Sequence, residues 1–101
     1  MNRIEYLISV DVPPSLEDAV ADCLLGISAG NGFVSFAVNA HDFNLQGMSL
    51  AEQVVGCKRK IRMQISVDSD GVAVVLNRLK SEFSGSGLIY WVTPVIGYGR
   101  I

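Results

Sequence analysis

Arg59 to Val67 carries the clearest pattern in the chain: from Lys60 onward polar and apolar residues alternate without a break. Ile61, Met63, Ile65 and Val67 fall on one side; Lys60, Arg62, Gln64 and Ser66 fall on the other. Period two over such a length is a β-strand with one dry face and one wet face. A strand of that kind needs neighbours in a sheet and a second layer over its apolar side. The rest of the chain supplies both. Ile4 to Val12 repeats the alternation, with Ile4, Tyr6, Ile8, Val10 and Val12 opposed to Glu5, Leu7, Ser9 and Asp11. Phe33 to Ala40 is a second strand, aromatic and β-branched, and Leu88 to Val95 is a fourth, apolar on both faces.

Two segments switch to helical spacing. Leu16, Ala19, Val20, Cys23, Leu24 and Ile27 form one stripe, with Glu17, Asp18 and Asp22 outward. Pro13 and Pro14 end the first strand, and Ser15 with Asp18 resembles a capping box at the helix start. SAGNG (Ser28 to Gly32) ends that helix. Val72, Val75, Leu76, Leu79 and Phe83 form the second stripe, preceded by cap candidates Asp68, Ser69 and Asp70 and closed by SGSG (Ser84 to Gly87). The order strand, helix, strand, strand, helix, strand predicts an α+β, ferredoxin-like split βαβ domain: an antiparallel sheet with both helices on one face. The chain of 101 residues is expected to be a single domain.

Half of the residues are apolar, a high share for a chain this small, and Leu7, Ile89, Trp91 and Val95 leave the second sheet face partly apolar. Both features point to burial against further copies of the chain. A net charge of -2 argues against coating nucleic acid or an acidic membrane. No apolar run approaches a membrane span, and the amino terminus reads as a strand. Cys23 and Cys57 have neither metal spacing nor the number for a disulfide framework, so a reduced, cytoplasmic protein is expected.

Residues 39–57, containing NAHDFNLQGMSLAEQVVG, are too long for a turn between adjacent strands, and loops of this length in compact domains are usually functional, disordered or a sign of a wrong assignment. Ser49 to Glu52 is another capping-box pattern, predicting a helical turn from Leu50 to Val55 with Gly56 as its stop. His41 and Asp42 are the candidate metal ligands; imidazole suits divalent transition metals, but two side chains make an incomplete site. Cys57 lies beside the basic run Lys58, Arg59 and Lys60, which would activate an exposed thiol, although a cysteine here is more often a small residue at a strand start. The run itself fits either an anion site or a solvated strand end. A Cys57–His41 nucleophile lacks an orienting partner, no P-loop or dinucleotide fingerprint occurs, and no enzyme is expected. Arg100, between Gly99 and the terminal Ile101, is a guanidinium on a tail of about residues 96–101.

SLAEQVVG (Ser49 to Gly56), KRKIRMQI (Lys58 to Ile65), PPSLED (Pro13 to Asp18) and above all GLIYWVTPVIGYGRI (Gly87 to Ile101) resemble the PII-like superfamily. That group includes nitrogen-regulatory PII and CutA-type proteins, and the resemblance is to a small bacterial PII-like family often encoded beside heavy-metal efflux systems. It implies a homotrimer, a long segment equivalent to the T-loop, and ligands bound between subunits near the loop base. It also implies non-catalytic signalling to a membrane transporter or metal-efflux component, with Phe43, Leu45, Met48 and Glu52 as the loop residues expected to meet that partner. The ligand implied is a divalent transition metal (Ni, Co, Cd, Zn or Cu) at His41 and Asp42. An adenine nucleotide is the alternative; SGSG lacks the lysines of nucleotide-binding relatives, leaving Lys58, Arg59 and Arg100 as phosphate candidates. A ligand-free trimeric interaction module is the third reading.

Overall fold

A computed structural model describes residues 3–27, 32–41 and 57–101 of the chain. Its elements run β1 (Tyr6–Val12), α1 (Glu17–Leu25), β2 (Phe33–Ala40), β3 (Lys58–Val67), α2 (Ser69–Phe83) and β4 (Ile89–Pro94). The four strands form one antiparallel sheet in the order β2-β3-β1-β4, which is the ferredoxin-like arrangement. The most regular alternating segments, β1 and β3, became the central pair, and β2 and β4 became the edges.

One sheet face is dry. Ile8, Val10 and Val12 from β1 and Met63, Ile65 and Val67 from β3 are nearly inaccessible, packed under Val20, Cys23 and Leu24 of α1 and Val75 and Leu79 of α2. Every one of these sits where the periodicity put it. Strand β1 begins at Tyr6 and not Ile4, although the ladder extends one residue further through Glu5 N–H to the Val67 carbonyl.

The predicted capping box at Ser15 does not form. Pro13 is extended and Pro14 opens a 3-10 turn over Pro14–Leu16, closed by Leu16 N–H donating to the Pro13 carbonyl at 2.9 Å. Ser15 is therefore inside that turn, and Leu16 becomes the helix cap without a side-chain bond. At α2 the cap does form: Asp68 is extended and its Oδ1 accepts from Gly71 N–H at 2.7 Å. Asp68→Ala should destabilise the fold by about 1 kcal/mol, the usual cost of an N-cap, as read by urea denaturation. An unchanged midpoint would show that the bond contributes nothing. Val34 and Phe36 on β2, and Ile89 and Trp91 on β4, are each at least 43% exposed because they lie on the sheet face away from the helices, and Tyr90 on the helix side of edge strand β4 is equally open.

Candidate functional site at the loop base

Strands β2 and β3 run together until Asn39 faces Arg59 and Ala40 faces Lys58. His41 and Cys57 follow at the next step, where the long segment leaves the sheet. His41 is exposed, whereas Cys57 is only 8% exposed. Cys57 is thus the small buried residue at a strand start, turned inward from its basic neighbours. Cys23 is buried between the helices, and burial together with the nearby Glu82 carboxylate pushes its thiol up to about 11, so it stays protonated and inert.

The pleat separates the basic residues. Lys58, Lys60 and Arg62 alternate onto the face away from the helices, while Arg59 projects on the helix side. Lys58 and Arg59 thus flank the loop base from opposite faces. Arg100 belongs to the other end of the sheet. Val95 N–H donates to the Glu5 carbonyl, and Tyr98 lines a cleft with Ile4, Leu7, Gly32 and Phe33, beside the start of β2. Along β3 that end is roughly 30 Å from Lys58 at about 3.3 Å per residue. A single subunit does not unite the three cations. Asp42, Phe43, Leu45, Met48, Glu52 and the predicted turn from Leu50 to Val55 lie outside the described residues. Among the described residues, no three His, Cys, Asp or Glu side chains gather as a metal site.

Sequence reasoning missed the polar pairs across the second sheet face. Asp11 and Arg62 are direct cross-strand partners, joined by a bidentate fork at 2.7 and 3.0 Å. The Arg62 guanidinium also lies 5.2 Å from the centroid of the Trp91 ring. Next along the ladder, the Gln64 side-chain amide donates to Ser9 Oγ at 3.2 Å. Each of these residues is visible in the alternating pattern as an outward polar position. Only register pairs them. The face is therefore a polar stripe down the central strands, flanked by Val34 and Phe36 on one edge and Ile89 and Trp91 on the other.

This sheet, helix pair and long β2–β3 segment define the fold class of PII-like and CutA proteins. The family model described as a protein of unknown function (DUF3240) matches residues 4–101, and the chain belongs to that family. A DUF3240 family protein from Shewanella baltica OS155 superposes with a TM-score of 0.79 at 16% identity, covering 98% of each chain. The nitrogen regulatory PII-like protein CPII from Thiomonas intermedia K12, bound to ADP, AMP and bicarbonate, gives a TM-score of 0.69 at 12% identity, covering 99% of this chain and 100% of that one. The periplasmic divalent cation tolerance protein CutA from Archaeoglobus fulgidus gives 0.71 at 13% identity, covering 96% and 89%. No curated protein matches the chain. Among the described residues, no helix is long and apolar enough to cross a membrane.

Proposed function

We propose that the chain is a non-catalytic, cytoplasmic PII-like regulatory protein that forms a homotrimer, binds a divalent transition metal near its loop base, and acts on a transporter through the long loop. The observation that carries this reading is the near end-to-end likeness to PII-like and CutA structures, with an exposed histidine at the point where the long segment leaves the sheet. One relative is a divalent cation tolerance protein. One imidazole is too few donors, so the site draws on Asp42 or on His41 of further copies. The half-apolar second sheet face supports assembly, since Phe36, Ile89 and Trp91 gain by burial against another subunit. Metal binding then biases the loop between conformations, and the partner responds to the favoured one.

Calorimetric titration with nickel, cobalt, cadmium, zinc and copper salts tests the reading. At least one metal should bind, and His41→Ala should weaken it by roughly tenfold or more, as losing a ligand does. Absence of binding, or equal binding by His41→Ala, overturns the assignment of that residue. Sedimentation at micromolar concentration should give a trimer; a monomer would contradict the assembly.

The nucleotide reading is favoured by one observation, the ADP- and AMP-bound relative. In that reading Lys58 and Arg59 of one copy meet Arg100 of a neighbour, because the tail leaves at the far end of its own sheet. A thermal shift with ADP that vanishes in Arg100→Ala would select it over the metal.

A further inference from the structure

On the helix-covered side of the sheet, a cleft of about 250 Å³ opens between the last turns of α2 and the edge strand β4. Leu76, Leu79, Phe83 and Leu88 make its walls, with Val10 of β1 beneath them. Leu79 and Val10 are buried, and the other three are half-buried. The lip is the loop after α2. Gly85 and Gly87 both have positive φ, 78° and 80°, and a Cβ on either would meet nothing within 4 Å, so the lip is open and its shape depends on glycine. Ser86 ties the loop back, donating through N–H and Oγ to the Phe83 carbonyl.

One charge borders this apolar space. Among the described residues, Lys80 is the only ionised side chain in the lining, and its ammonium stands over the Tyr90 ring at 5.6 Å from the centroid. No carboxylate among the described residues lines the cleft to neutralise it. The acid on the same turn of α2, Glu82, is held by Arg78 at 2.7 Å, which also keeps its carboxyl below the ordinary range. Tyr90 is aromatic yet 43% exposed on the side of the sheet that the helices cover elsewhere.

We propose that this cleft between α2 and β4 binds a small amphipathic carboxylate, with an acyl chain or single ring against Leu76, Leu79, Phe83 and Leu88 and its anionic head at Lys80. Apolar walls with a single polar anchor are the usual make-up of small-molecule sites, and the volume, just under the roughly 300–1,000 Å³ of typical pockets, suits a molecule smaller than a drug. A monoanion fits the lone cation. A phosphate dianion would leave most of its charge without a donor in this lining. The site is separate from the loop-base metal site and does not rest on that assignment.

Two-dimensional amide NMR of the full-length protein, titrated with octanoate and, in parallel, with 1-octanol, tests the proposal. Octanoate should bind with a dissociation constant at or below about 1 mM. It should shift the amides of Gly85, Gly87 and Leu88 while leaving the Trp91 indole on the opposite face unmoved. Lys80→Met, which keeps the alkyl stem, should weaken octanoate by roughly tenfold and leave octanol unchanged, the cost expected for losing one charge-assisted contact. Lys80→Arg should restore it. Octanoate failing to bind, octanol binding as tightly as octanoate, or shifts centred on Trp91 would each overturn the proposal.

Discussion

Asp11→Ala is expected to lower the unfolding free energy by about 2–3 kcal/mol. The Asp11 side chain is 6% exposed and accepts both arms of the Arg62 fork. Removing it leaves a guanidinium over the Trp91 ring with no carboxylate partner among the described residues. Breaking one side of a fully buried pair typically costs about 3–5 kcal/mol. The Arg62 side chain is 35% exposed, so water screens part of the loss and the lower figure applies. In the Asp11→Ala background, Arg62→Met should recover much of the stability, because the penalty comes from the orphaned charge. Denaturant unfolding of the four proteins of the cycle, at one protein concentration, measures the coupling. A coupling below about 0.5 kcal/mol would mean that the fork is incidental.

Gly71→Ala should also destabilise, by about 1–3 kcal/mol, although alanine in a helix ordinarily stabilises by up to about 1 kcal/mol relative to glycine. Gly71 is buried in the first turn of α2, where the helix comes down onto the end of β3. An added Cβ would sit 2.8 Å from Val67 Cβ and 3.2 Å from Asp68 Oδ1. Val67 is itself packed in the core, so it has no space to yield. The same shift would disturb the Gly71 N–H bond to Asp68. The sign is the test: a raised thermal midpoint for Gly71→Ala would show that the helix can lift without cost.

Legibility followed the range of the cause. Strand β2 ends where the sequence places it, and the buried stripe of α2 is the one its spacing marks, because both depend on side chains a few positions apart. The 3-10 turn at Pro14 was not legible, since two competing local signals, a proline pair and a capping box, overlap there and the prolines won. The exposure of Tyr90, on the helix side of the sheet, was hidden because an edge strand and a central strand can carry the same residues. For the candidate site, the sequence singled out His41 and the basic run but could not tell that Arg100 lies toward the other end of the sheet. Nor could it show that the thiol of Cys57 turns inward.

By itself the sequence determined the six elements, their order and, for β1, β3 and both helices, the face each one buries, because periods of 2 and 3.6 are properties of contiguous residues. Strand order and register were decided only in the tertiary structure. Those choices bring Asp11 to Arg62, 51 positions apart, and Lys80 over Tyr90 beside an apolar cleft. They also carry Arg100 to the end of the sheet away from Lys58. Pairings of that kind depend on how whole elements pack against one another, and no local pattern encodes them.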